Sequence, residues 1–121
     1  MKKILLYQVT TEKGKQIERI CLPFGIMCLH VLPADYLQPL GAVAGLPGMM
    51  RRAVPPFAPA LADEMAVFSG FTSQEVFRLL AQFRSARLAF PALKAVLTPS
   101  NAGWDALALQ RELKEEAGRM K

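Results

Sequence analysis

The sequence predicts an α/β domain: a four-stranded, mainly parallel sheet flanked by helices, in the order β-α-β, long loop, β-α-β-α. Three observations predict it. Short runs at Ile4–Tyr7, Ile26–Val31, Met65–Phe68 and Leu93–Leu97 are mostly apolar, broken only by His30 and Lys94, the pattern of strands covered on both faces. Helical apolar spacing follows the first, third and fourth runs, so strand and helix alternate as in βαβ units. Apolar residues make up 52% of the chain and charged ones only 21%, enough to build a core over 121 residues without staples.

The elements follow in order. Thr10 and Thr11 supply cap oxygens for a helix carrying Ile17, Ile20 and Cys21. Leu22 precedes Pro23, which disfavours helix and ends it, and Gly25 turns the chain into the second run. Six of the nine prolines fall within residues 33–61, together with Gly41, Gly45 and Gly48. A short helix from Asp35 to Ala44, kinked near Pro39, is expected there. Residues 45–61 then read as a Pro/Gly-rich loop with a mobile centre at Gly48–Arg52, and a loop of that length in a compact domain is usually functional or disordered. After the third run, Thr72 and Glu75 match the capping-box spacing, and Val76, Leu79, Leu80 and Phe83 form one stripe.

The fourth run delivers the chain to Thr98, Ser100 and Asn101. Those residues are expected to cap the last helix directly, with Pro99 in its first turn and Trp104 packed back over the strand end. That helix presents Ala106, Leu109, Leu113, Ala117 and Met120 on one face. The halves share a layout without a repeat visible in sequence. A ferredoxin-like α+β sheet is the competing architecture, and it needs only a return connection in the long loop.

Composition narrows the function classes. The net charge of +5 is spread along the chain with no Lys/Arg run interleaved with aromatics, so nucleic-acid binding is not expected. The first residues hold too short an apolar run for a signal peptide, and Pro and Gly interrupt later ones, so no membrane role is expected. Cys21 and Cys28 lie in apolar surroundings and read as free thiols of a cytoplasmic protein.

In a parallel sheet the strand C-termini fall along one edge, where open α/β sheets bind ligands. That edge would gather Gln8, Ser69, Thr72, Thr98, Ser100 and Asn101 as a site for a small anionic ligand, and the same residues would serve equally as helix caps. Met49, Met50, Arg51 and Arg52 combine flexible apolar side chains with guanidinium groups, types enriched at interfaces, and form the candidate partner-binding loop. Cys28 and His30 share a strand face with Cys21 nearby, but a structural zinc site wants four donors and tighter spacing, so no metal is expected. Lys94 within a strand reads as an edge guard rather than a nucleophile. No phosphate-binding glycine loop and no nucleophile elbow occurs, so no catalytic residue and no cofactor is assigned.

Leu5-Leu6-Tyr7, the segment Asp35 through Leu40-Gly41, Phe68-Ser69-Gly70-Phe71-Thr72 and Leu93–Asn101 with Trp104 together resemble a family of small uncharacterised bacterial proteins, a domain of unknown function labelled 3783. The likeness is strongest from Lys94 to Trp104, next at Gly70-Phe71, and looser in the first half. It implies a single domain over residues 1–121 in a cytoplasmic context, and it supplies no catalytic residue. The expected function is a small non-enzymatic regulatory or protein-interaction module, with an unknown protein or a second copy as partner. Binding of an anionic metabolite, or a small enzyme at the strand-end edge, is the alternative.

Overall fold

The computed structural model describes residues 1–55 and 60–119, so residues 56–59 of the expected loop and Met120 of the last apolar stripe lie outside the described residues. Four strands, β1 (Lys3–Tyr7), β2 (Met27–Val31), β3 (Met65–Ser69) and β4 (Leu93–Val96), form one sheet in the order β2-β1-β3-β4. Helices α1 (Thr11–Cys21) and α3 (Ser73–Ser85) connect the strands within each half. Helices α2 (Leu40–Ala44) and α4 (Ala106–Arg119) follow β2 and β4. The α/β class is as expected.

The expected strand directions need correction. β1 runs parallel to β2 and β3 to β4, but the central pair β1–β3 is antiparallel, so the sheet is mixed. The cause lies in the connection between the halves. Tyr7 is the register partner of both Val31, where β2 ends, and Met65, where β3 begins. Residues 32–64 therefore leave and re-enter the sheet at the same end, and β3 must run back along β1. The return connection of the competing architecture is present, yet each half keeps its parallel βαβ pair.

Two βαβ units thus meet side by side about an approximate two-fold axis near Leu5 and Val67, which face each other. The local chemistry repeats across it. Thr10 caps α1 by accepting from the Lys13 N–H, and Thr72 caps α3 by accepting from the Glu75 N–H. Two residues before each cap the backbone is left-handed, at Gln8 (φ 61°) and Gly70 (φ 84°).

Each sheet face carries a core. On one, Ile4, Leu6, Ala66 and Phe68 meet Ile17 and Cys21 of α1 and Leu79 and Phe83 of α3, with Phe90 stacked on Phe83 at 4.5 Å. On the other, Leu5, Tyr7, Met65 and Val67 meet Tyr36, Leu40 and Ala44 from the first half and Ala106 and Leu109 of α4. Cover on this second face is unequal. α4 runs fourteen residues, whereas its counterpart α2 runs five and stops at Gly45, whose φ of 77° ends the helix.

Candidate functional site

The mixed sheet separates the six residues expected on one edge. Gln8 lies at the end where β1 and β2 finish. Ser69, Thr72, Thr98, Ser100 and Asn101 lie at the opposite end, where β3 and β4 finish. At that second end the polar groups serve the backbone. The Thr72 hydroxyl and Glu75 carboxylate form a reciprocal capping box, and Ser69 is buried against β1. Asn101 Oδ1 accepts from the Thr98 N–H (2.9 Å), Thr98 Oγ1 accepts from the Asn101 N–H (3.2 Å), and Asn101 Nδ2 donates to the Val96 carbonyl (3.1 Å). Ser100 is exposed. These residues close a turn and do not start the helix. α4 begins at Ala106, and its cap is Asp105, whose Oδ1 accepts from the Ala108 N–H (2.9 Å). Pro99, expected in the first turn, and Trp104, expected packed back over the strand end, both precede the helix, and the Trp104 carbonyl accepts from the Leu40 N–H.

Gln8 forms part of a cleft of about 660 Å³ with Thr10, Thr11, Lys15, His30 and Tyr36. Its left-handed backbone is strained for a residue with a Cβ, and Tyr36 holds it there. The Gln8 N–H donates to the Tyr36 hydroxyl (3.1 Å), which in turn donates to Gln8 Oε1 (2.9 Å). His30, from β2, packs against α1 at Gly14, and its Nε2 meets the Glu18 carboxylate. A side chain at Gly14 would collide with the ring, since a Cβ there falls 2.8 Å from His30 Nδ1. A glycine inside an amphipathic helix is the sequence signal for this close approach.

Cys28 shares the His30 face, as their spacing requires, but the histidine pairs with Glu18 and not with sulfur. The two thiols act on each other: their contact lowers the Cys28 thiol pKa, while that contact and burial raise that of Cys21.

The Met49–Arg52 segment is tied back onto the first half. Arg51 makes a two-pronged contact with Asp35 (2.7 and 3.3 Å). Gln38 brackets the Arg52 backbone with two bonds of 2.8 Å, and the Arg52 guanidinium donates to the Leu37 carbonyl. Met49 packs near Gly41, leaving Met50 as the exposed apolar side chain of the four.

The larger apolar surface was not singled out by the sequence reading. It surrounds β2, an edge of the sheet. Residues 20–34 contain no Asp, Glu, Lys or Arg. Within them Leu22, Phe24, Met27 and Leu32 are 77%, 53%, 44% and 65% exposed. The Met27 N–H donates inward to the Lys2 carbonyl (3.0 Å), so by strand alternation the N–H and C=O groups of Cys28 and His30 face outward. The other edge, β4, is guarded: it is four residues long, carries Lys94, and lies between Pro91 and Pro99. A run of uncharged residues framing a strand is the signal that marks such an edge.

Among the described residues, no helix is long and apolar enough to cross a membrane. Residues 64–120 match the family described as Domain of unknown function (DUF3783), in keeping with the resemblance carried by Gly70-Phe71 and Lys94–Trp104. The match covers β3 to α4, one of the two structural halves. No curated protein and no solved structure matches the chain.

Proposed function

We propose that this chain is a non-enzymatic interaction module, regulatory in role and cytoplasmic, that binds a protein partner by adding a strand to its open β2 edge. The observation that carries this reading is the contrast between the two edges. β4 has the lysine and prolines that discourage pairing, whereas β2 presents outward amides amid uncharged, exposed apolar side chains. Free thiols at Cys21 and Cys28 fit a reducing compartment. The test is site-specific photo-cross-linking in the native host with a benzophenone amino acid at Met27, and at Lys94 as the control. A defined adduct from position 27, absent from position 94 and lost when His30→Pro removes an outward N–H, is expected. No adduct at position 27 overturns the reading.

A second reading is favoured by Gln8, held left-handed where the matching position of the other half is Gly70. Strain of this kind collects at ligand sites. The cleft it shapes offers a small anion Lys15 and the α1 amino terminus at Thr11, with the Glu18 carboxylate paired to His30 along the same lining. Titration with inorganic phosphate, followed by the Thr11 and Lys15 amide resonances, tests it, and unmoved resonances reject it.

A further inference from the structure

We infer that the partner of the β2 edge is a second copy of this chain, joined through an antiparallel β2–β2 contact that makes one continuous eight-stranded sheet. This rests on the edge-binding reading and adds the identity of the partner.

The backbone geometry supports self-pairing in one register. Cys28 and His30 are the β2 residues whose N–H and C=O groups point away from β1. A two-fold axis through Leu29 sets each Cys28 opposite the partner's His30. The two residues then form a hydrogen-bonded pair exchanging both bonds, and the axis repeats it, giving four bonds that use every outward group. Leu29 falls opposite the partner's Leu29, and Met27 opposite the partner's Val31, as the closer, non-hydrogen-bonded pairs. These side chains lie on the sheet face that the five-residue α2 leaves short of cover.

The other face fits as well. α1 packs against both α3 and β2. With strands about 4.8 Å apart, a helix seated over β1 and β2 lies about 9–10 Å from its symmetry mate across the new junction, the spacing at which helices pack. The space between them is already a shallow groove lined by Lys15, Glu18, Arg19, Leu22, Met27 and Cys28. Lys15, Glu18 and Arg19 along that groove bring charges of both signs from each copy to the junction. An isolated extended peptide would leave that groove and Leu22 open. The molecule also contains the same junction once already: β1 and β3 join two βαβ units antiparallel, with α1 and α3 side by side.

Sedimentation equilibrium and native mass spectrometry of the full chain from about 1 to 200 μM test the inference. A species of twice 13.3 kDa is expected. His30→Pro removes one outward N–H per copy without touching the β1 ladder, and is expected to raise the dissociation constant roughly tenfold to a hundredfold. Met27→Lys places a charge in the apolar row and weakens the dimer without needing proline in the strand, so it decides the matter if His30→Pro does not fold. A wild type that stays monomeric overturns the inference, as does a dimer indifferent to the variants. Cross-linking from position 27 to a different protein would leave the edge reading standing while removing the second copy as its occupant.

Discussion

His30 rests its imidazole on α1 at Gly14, the point where that helix has no side chain, and reaches Glu18 one turn further on. A strand residue and a helix residue sixteen positions apart are thereby locked in contact, and the edge strand is fixed to the helix that borders its exposed flank.

Gly14→Ala separates two effects of opposite sign. Alanine in a helix interior gains about 1 kcal/mol over glycine, whereas displacing a packed ring costs about 1–3 kcal/mol. In the wild-type background we expect a net loss of up to about 2 kcal/mol, while in a His30→Ala background the same change should stabilise by up to about 1 kcal/mol. Urea unfolding of the four proteins of this cycle checks it. Equal effects in both backgrounds would show that the ring does not hold its place against Gly14.

The two left-handed positions predict unequal responses. Gly70→Ala forces a Cβ into φ 84° and to within 2.8 Å of the Met1 carbonyl oxygen, and should destabilise by about 1–3 kcal/mol. Gln8→Gly relieves left-handed strain but loses the bond from Tyr36 to Oε1, so the change should stay within about 1 kcal/mol of zero. Chemical denaturation midpoints compare them, and equal losses would contradict the assignment of strain to Gln8.

Glu75 gives the fold an acid dependence of known sign. The Lys2 ammonium first, and then the Thr72 N–H, hold its carboxyl down to about 2 from the ordinary 4.5. A depressed carboxyl stabilises the fold above its unfolded value, and the contribution is lost as pH falls from 4.5 through about 2. Unfolding midpoints recorded across that window should fall less steeply for Glu75→Gln than for the wild type, and added salt should reduce the difference. Parallel curves at low salt would remove Glu75 from the acid response.

Local signals carried most of the elements. Apolar runs located the four strands, and Thr10, Thr72 and Glu75 marked two helix starts through the chemistry of orphan amides. Strand direction was not legible, because periodicity reports which faces are covered and not which way a strand runs. That direction was decided by the connection starting and ending beside Tyr7. The start of α4 was ambiguous for another reason: Thr98, Asn101 and Asp105 are all cap-type residues, and which one begins the helix depends on the turn that Asn101 closes. The expected ligand edge dissolved with the strand direction. The β2 edge could have been found from the uncharged residues 20–34 beside the lysine-bearing fourth strand.

The antiparallel β1–β3 junction also sets the order in which the chain can assemble. Within each half, strand, helix and strand are near neighbours in sequence, but pairing Leu5 with Val67 closes a loop of about sixty residues. Such contacts are slow to form, since closure entropy must be overcome before they stabilise anything. Each half, however, completes the cover of its inner strand, β1 or β3, only by pairing it with the other. The slow step is therefore expected to be the pairing of β1 with β3, which places the transition state for folding at the centre of the sheet. The connection between halves can lengthen at a cost of only about 0.6 kcal/mol per doubling. Insertions directly after Ala53, beyond the Arg51 and Arg52 ties, should slow folding slightly while sparing the final structure.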